Sequence, residues 1–328
     1  MDDILFSEEP VIPSLYMGDL GRVLYFSYRY LQTKDEKYSK IAKELLEELV
    51  NNSNNYVLDS SLGNGITGYY WVILHLIDLE ILDLSDENVV KDILPYIEDS
   101  IKQDFIKEDY DFLYGCMGKI TCLLSSKQKI DVVNLDEVLS FFREIKKTDN
   151  KGVFWLDTDK DNQINLGTAH GMPGILLFLI HTFNSNNDIF DEFVNPAISW
   201  LLSRSKKDGV SSFANNSNDI DSDSRLAWCY GDLGISFLFL IAGIKYNNSE
   251  WYKAGVEIAE KASLRDINKS GIAFNDIRNF YDTCFCHGTS GVAYIFSAIA
   301  KITDNPKIIL AKNYWEKVNI ENLEKHII

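Results

Sequence analysis

Two cysteines and one histidine in the last third of the chain could bind a metal together. Cys229 lies in the segment Arg225-Leu-Ala-Trp-Cys-Tyr-Gly231, and Cys286-His287 opens a similar segment further along. Two thiolates and one imidazole suit Zn²⁺, and three protein ligands leave a fourth coordination position for a substrate. The set therefore predicts a catalytic zinc site. Cys284, two residues before Cys286, is the alternative ligand.

A histidine earlier in the chain could move a proton near that metal. His170 comes directly before Gly171, as His287 comes directly before Gly288. An imidazole takes or gives a proton near neutral pH. If both segments face the same opening of the fold, His170 is an acid or base beside the metal. A hydrogen-bonded structural histidine is the alternative.

The glycines beside these residues belong to a repeat. A Gly-x-x-Gly motif followed by an apolar run occurs six times, and the first glycines are 47, 50, 56, 60 and 57 residues apart. An interval this regular indicates a repeated supersecondary unit. Cap or loop glycines are the alternative for the first two motifs, which have no chemical residues beside them. The motifs begin at Gly18, Gly65, Gly115, Gly171, Gly231 and Gly288.

The segments around the glycines predict two kinds of helix. The runs after the glycines, such as Tyr69–Leu74 and Ile175–Ile180, are apolar all round and predict buried helices. Segments between them, such as 34–50 and 134–147, have apolar residues at helical spacing and predict helices with one solvated face. Six such pairs, without strand-like runs of similar strength, predict an all-α fold. We expect an α/α toroid in one domain over residues 1–328.

Glycine spacing and two insertions add detail to this fold. Two glycines three residues apart share a helix face, so they let the start of an inner helix approach its neighbours closely. The polar insertions Asp157–Asn165 and Lys206–Ser224 each precede a repeat that contains chemical residues. We expect both insertions to be loops at the same rim.

Composition excludes several classes of protein. The longest apolar run, Ile235–Ile244, is far shorter than the roughly 20 residues of a membrane span. A net charge of −17 argues against nucleic-acid binding, including a Gly-x-x-Gly clamp of the KH type. The N-terminus has no basic-then-apolar secretory signal. We therefore expect a cytoplasmic protein whose five cysteines are thiols or metal ligands.

Three segments resemble a known family. Ala169-His170-Gly171, Trp228-Cys229-Tyr230-Gly231 and Cys286-His287-Gly288, in this order with the glycine repeats between them, resemble the lanthionine synthetase C family, the LanC-type cyclases of lanthipeptide biosynthesis. The resemblance extends from Ser14 to about Ile302. It implies an α/α toroid that holds Zn²⁺ through Cys229, Cys286 and His287 and forms thioether rings in a precursor peptide.

The resemblance also implies catalytic residues, which are His170, Tyr230, Arg225 and Asp111. A substrate thiolate would add to dehydroalanine or dehydrobutyrine in the same peptide, and the resulting enolate would need a proton. His170 is the first choice as the acid and Tyr230 the competitor. Asp111 would orient the histidine or take the thiol proton. Arg225 would lie near the developing negative charge or fix the loop through a carboxylate.

Partners follow from the same resemblance. The substrate would be a dehydrated precursor peptide with leader and core segments, and a dehydratase and an exporter would complete a biosynthetic complex. The resemblance thus implies a cytoplasmic enzyme that could be peripheral to the inner face of the membrane. One departure is the repeat count, since the family usually has seven inner helices and this sequence shows six. Either six hairpins close the ring, or a gap is filled by the C-terminal segment or by a partner.

Three other functions fit parts of the sequence. An enzyme with the same zinc chemistry could add a small thiol such as glutathione to dehydroamino acids in damaged proteins. A toroidal carbohydrate enzyme would use paired carboxylates and aromatic platforms and would contain no zinc. A toroid without catalytic activity could bind a peptide or an enzyme. The complete set of Cys229, Cys286, His287 and His170 argues against this last alternative.

Overall fold

The structure is a computed structural model that describes residues 12–16, 18–52, 58–83, 87–125, 133–157, 163–183, 188–219 and 221–327. Within these ranges the chain forms twelve α-helices and four short strands. The chain divides into two compact units, residues 2–144 and 145–328. The prediction of one domain over residues 1–328 stays a prediction.

The described residues of the first unit form six helices. α1 packs on α2 and α3, and α3 and α5 both contact α4. α3 is buried on almost every side, whereas α2 alternates buried and exposed residues. The helices are α1 (Leu20–Thr33), α2 (Glu36–Asn52), α3 (Ile66–Asp78), α4 (Glu87–Lys107), α5 (Cys116–Ser125) and α6 (Leu135–Ile145).

The described residues of the second unit repeat this arrangement with a short π-helical turn and two small hairpins added. α9 contacts α7, α10 and α11, and α11 packs on α12. A single π-helical turn, Phe190–Val194, leads into α8, and two antiparallel hairpins pair β1 with β2 and β3 with β4. The elements are β1 (Lys147–Asp149), β2 (Gly152–Phe154), α7 (Met172–Thr182), α8 (Asn195–Leu202), α9 (Asp232–Lys245), α10 (Ser249–Ser263), β3 (Phe274–Asn275), β4 (Phe280–Tyr281), α11 (Thr289–Thr303) and α12 (Pro306–Ile327).

The alternation predicted from the sequence is confirmed within the described residues. α7 and α9 begin directly after the first glycine of a motif and bury most of their residues. The six predicted hairpins are present, and α12 forms the second helix of the sixth. The small hairpins were not predicted, since strands of two or three residues have too short a pattern to recognise. Among the described residues, no helix has the length and apolarity to cross a bilayer.

The first glycine of each motif accommodates a loop that folds back over the helix start. A Cβ at Gly65 would overlap the backbone oxygen of Asp59, and a Cβ at Gly171 would overlap that of Asn165. Both contacts join residues six apart. The next amide after each glycine donates to the same oxygen, at 2.9 Å and 3.0 Å respectively. We expected these glycines to permit close contact between neighbouring helices. The contact that they permit is mainly between each helix and the loop that precedes it.

The loop before α9 is held at both ends. Asp232, the first residue of α9, is fully buried and accepts the N–H groups of Ser212 and Phe213 at 2.8–3.0 Å. The Arg265 guanidinium donates to the carbonyl of Ser224 at 2.7 Å. These bonds anchor the second polar insertion and fix the chain that leads to Arg225. Residue 220 in this insertion, and residues 158–162 in the first, lie outside the described residues.

Candidate metal centre

Cys229, Cys286 and His287 meet at the starts of two neighbouring helices. One ligand atom from each lies within 4.8 Å of the other two. Tetrahedral zinc with these ligands would need roughly 3.6–3.8 Å between ligand atoms, and the limit of 4.8 Å is compatible with that spacing. Both cysteines are buried, whereas the His287 side chain is 38% exposed. The donor set therefore fits Zn²⁺ with one side open to a substrate.

Backbone hydrogen bonds hold the ligand loops together. The N–H groups of Trp228 and Cys229 both donate to the carbonyl of Cys286 at 3.1 Å. The N–H of Ala169 donates to the carbonyl of Cys229 at 3.4 Å, which brings the His170 loop alongside. Gly231 has φ +86°, a conformation that favours glycine, directly after Tyr230. The three loops are therefore positioned by the main chain.

The charge environment of Cys229 is consistent with a cation site. The hydrogen bond with Cys286 and burial both raise the pKa of the Cys229 thiol. The Arg225 guanidinium, whose Nη2 is 3.8 Å from the Cys229 sulfur, acts in the opposite direction. A buried thiol whose pKa is raised keeps its proton unless a cation compensates the thiolate charge. Metal binding would therefore release the proton of Cys229.

A second group overlaps the first and keeps Cys284 as an alternative ligand. One ligand atom each of Asp282, Cys284 and His287 also lies within 4.8 Å of the others. His287 Nε2 is 3.2 Å from Asp282 Oδ2, and the Cys284 sulfur is 3.5 Å from the same oxygen. A carboxylate at this distance can hold the imidazole ring while Nδ1 binds a metal.

The predicted proton-transfer residues of the second unit lie together. The rings of His170 and Tyr230 have their centroids 5.7 Å apart. The Arg225 guanidinium lies 5.6 Å from the Tyr230 ring centroid. A cavity of about 270 Å³ opens beside them, and both polar insertions contribute to its walls. Its lining residues are Asp157, Gln163, Asn165, Asn215, Asn216, Arg225 and Tyr230.

Asp111 lies in the other compact unit, shortly before α5. Its Oδ1 accepts the N–H groups of Leu113 and Tyr114 at 2.7 Å and 2.9 Å. The structure thus shows this carboxylate stabilising its own turn. The other six predicted site residues, Cys229, Cys286, His287, His170, Tyr230 and Arg225, all belong to the second unit.

Three residues of this region were missed by the sequence reasoning. Asn165 donates to the Tyr230 hydroxyl at 3.1 Å, Asp157 accepts from Asn165, and Asp282 contacts His287. Asn165 and Asp282 lie six residues before the first glycine of their motifs, as Arg225 does. This repeated position is the signal that could have found Asn165 and Asp282, whereas Asp157 has no such signal in the sequence.

Nearly the whole chain resembles one family of known proteins. A profile described as "Lanthionine synthetase C-like protein" matches residues 9–326. The chain belongs to this family. The resemblance predicted from the three segments is therefore confirmed.

Individual relatives give the extent of the similarity. Nisin biosynthesis protein NisC from Lactococcus lactis subsp. lactis is 26% identical over 331 residues, which cover 89% of this chain and 74% of NisC. Glutathione S-transferase LANCL1 from Danio rerio is 25% identical over 143 residues, 43% of this chain and 32% of LANCL1.

A solved structure supports the fold. The structure of nisin cyclase matches with a TM-score of 0.75 and 22% identity, and the match covers 98% of this chain and 85% of the cyclase chain. This likeness shows that the fold is an α/α toroid, as predicted from the alternation of helices.

Proposed function

We propose that this member of the lanthionine synthetase C-like family is a zinc-dependent lanthipeptide cyclase. It would form lanthionine and methyllanthionine rings in a dehydrated precursor peptide. The observation that carries the proposal is the meeting of two buried thiols and one half-exposed imidazole, with Tyr230 and Arg225 lining a cavity beside them. The similarity to NisC over 89% of the chain supports the same activity.

The proposed metal ligands are Cys229, Cys286 and His287. Zinc bound there would accept a substrate thiol at its open position and favour its deprotonated form. The substrate sulfur then bonds to the β-carbon of a dehydroamino acid, and the displaced electron pair forms an enolate. A proton delivered to the α-carbon completes the addition, so that no atom is gained or lost.

The remaining residues would manage charge and protons in this reaction. Arg225 reaches both the Cys229 sulfur and the Tyr230 ring, so its cation lies where negative charge develops. His170 and Tyr230 are neighbours, and each carries a group that can donate a proton to the α-carbon. Asp111 is proposed to orient the histidine or to take the thiol proton, as the family resemblance implies.

A second function has support from a relative. Glutathione S-transferase LANCL1 is similar to 43% of this chain, and its name describes transfer of glutathione. The same site could add a small external thiol to a dehydroamino acid. The two functions differ in the source of the thiol.

The proposed function includes partners and a location. The substrate is a precursor peptide with leader and core segments, and a dehydratase supplies its dehydroamino acids. An exporter would remove the product from a biosynthetic complex. Such a complex would keep the enzyme in the cytoplasm at the inner face of the membrane.

Zinc content and thiol consumption test the proposal together. The protein is incubated with a dehydrated peptide that contains cysteine, and free thiol and peptide mass are followed, with and without glutathione. We expect about one zinc per chain and loss of peptide thiol without added mass. Addition of glutathione mass would instead support the second function.

Variants of two neighbouring cysteines test the ligand assignment. Cys286→Ala should lose zinc and activity, whereas Cys284→Ala should keep both. Zinc lost from Cys284→Ala but kept by Cys286→Ala would reverse the assignment. A wild-type protein without zinc, or full activity in Cys286→Ala, would contradict the mechanism.

A further inference from the structure

Asn165 is a buried amide with three hydrogen bonds. Its Nδ2 donates to Asp157 Oδ2 and to the Tyr230 hydroxyl, both at 3.1 Å, and its Oδ1 accepts the N–H of Gly167 at 2.9 Å. The residue is 3% exposed. Because the Gly167 N–H can only donate, the atom that faces it must be the amide oxygen. The amide orientation is therefore determined, and its NH₂ group faces Asp157 and Tyr230.

The turn around Asn165 does not itself need an amide. In three other repeats an aspartate lies at the same position, and its Oδ1 accepts the N–H two residues later at 2.7–3.1 Å. A carboxylate oxygen therefore stabilises this turn as well as an amide oxygen does. What asparagine adds is the NH₂ group, with its donors to Asp157 and Tyr230. The equivalent aspartates are Asp59, Asp109 and Asp282.

This donor determines the direction of the Tyr230 hydroxyl. Since the hydroxyl oxygen accepts from Asn165, its own proton points away from Asn165. Tyr230 lines the cavity beside His170 and Arg225. Asp157 accepts a hydrogen bond from the second N–H of the Asn165 amide, and this bond fixes the orientation of the NH₂ group.

We propose that Asn165 is a positioning residue, which with Asp157 orients the Tyr230 hydroxyl so that it donates its proton toward the substrate cavity. This proposal rests on the proposed function, in which the enolate is protonated at the α-carbon. Asn165 acts through Tyr230 and does not itself touch the substrate.

An exchange of the two side chains tests this directly. The double variant Asp157→Asn/Asn165→Asp retains the net charge. It also retains an oxygen that accepts the N–H of Gly167 and a hydrogen bond between the side chains of residues 157 and 165. An oxygen now faces Tyr230, so the hydroxyl has to donate to residue 165. We expect kcat for thiol addition to fall roughly 10- to 100-fold with an unchanged KM, because a misdirected hydroxyl loses part of the contribution, about 10²- to 10⁴-fold, that a positioned acid makes in the transition state.

Matched variants separate orientation from damage to the fold. Zinc content and melting temperature should equal those of the wild type. In a Tyr230→Phe background the exchange should cause no further loss of kcat, because no hydroxyl remains to orient. Asp59→Asn, at the same position in another repeat, should leave kcat unchanged. If the exchange lowers the melting temperature, Asn165→Ser keeps a turn oxygen, removes the amide donor to Tyr230 and should show the same fall in kcat.

The outcomes distinguish this inference from the proposed function. Wild-type kcat in a zinc-loaded, folded exchange variant would overturn the role of Asn165 and leave the cyclase proposal intact. An equal loss of kcat in the Tyr230→Phe background would also overturn it, since Asn165 would then act independently of Tyr230. Absence of zinc and of thiol addition in the wild type would overturn the proposed function itself.

Discussion

Asp282 shows how one residue is used both for folding and at the proposed metal site. Its Oδ1 accepts the N–H of Cys284 at 2.8 Å, as expected for a residue that stabilises this turn. Its Oδ2 lies 3.2 Å from His287 Nε2. Carboxylates that bind the second nitrogen of a metal-bound imidazole orient the ring and raise its basicity. Asp282 should therefore strengthen zinc binding without being a ligand.

We expect Asp282→Asn to weaken zinc binding about 10- to 100-fold. The amide oxygen keeps the turn, whereas its NH₂ group would oppose an imidazole N–H. Competition with a coloured chelator measures the affinity, and Asp59→Asn, at the same position in another repeat, should bind zinc like the wild type. Unchanged affinity in Asp282→Asn would contradict this role. Complete loss, as expected for Cys286→Ala, would identify Asp282 as a ligand.

At the scale of elements, equivalent glycines differ in how much space surrounds them. A Cβ at Gly118, near the start of α5, would overlap the backbone oxygen of Phe112. A Cβ at Gly21, the second glycine of the first motif, would lie 3.7 Å from the oxygen of Leu15, an ordinary contact. Both are second glycines at helix starts. The pattern Gly-x-x-Gly is therefore a structural requirement at some repeats and not at others.

Alanine substitution should separate these two positions. Gly118→Ala forces a shift of backbone and should lower the free energy of unfolding by about 2–4 kcal/mol. Gly21→Ala should raise it by about 0.5 kcal/mol, because alanine favours the helix and loses less entropy on folding. Urea unfolding measures both variants. Equal effects of the two substitutions would contradict the contact argument.

At the scale of the whole molecule, one buried ion pair should affect the pH dependence of stability. Lys119 Nζ lies 2.6 Å from Asp104 Oδ2, and the lysine side chain is only 1% exposed. Burial raises the pKa of Asp104 to about 6, although the hydrogen bond and charge of Lys119 oppose this. The folded state thus binds this proton more tightly than the unfolded state does. The contribution of Asp104 protonation to the free energy of unfolding therefore falls as the pH rises from about 4 through 6.

Lys119→Met should therefore be most destabilising in alkaline solution. At pH 8 the substitution leaves a buried carboxylate without its cation, and we expect a loss of about 3–5 kcal/mol in the free energy of unfolding. At pH 5 the carboxyl can stay protonated, so the loss should be smaller. Urea unfolding at the two pH values measures the difference. As a control, Lys253→Met breaks an exposed ion pair with Glu257 and should change the free energy of unfolding little at either pH. A loss in Lys119→Met that does not depend on pH would contradict the raised pKa of Asp104.

Much of this protein follows from its sequence alone. The regular glycine interval and the alternating burial of the segments predicted the all-α fold and the six hairpins, because helix periodicity and glycine at a helix start are local properties. The order of Cys229, Cys286 and His287 along the chain, each beside a glycine motif, predicted that these residues belong to one site.

Only the tertiary structure decided which side chains touch. The bonds from Asn165 to Tyr230 and from Asp282 to His287 depend on loop conformations that bring together residues 65 and 5 positions apart. The sequence shows an asparagine and an aspartate at the same place in a repeat, where each stabilises a turn. Whether such a side chain also reaches a neighbour depends on distances of a few ångströms between loops, and these distances are determined by the packing of the helices that carry them.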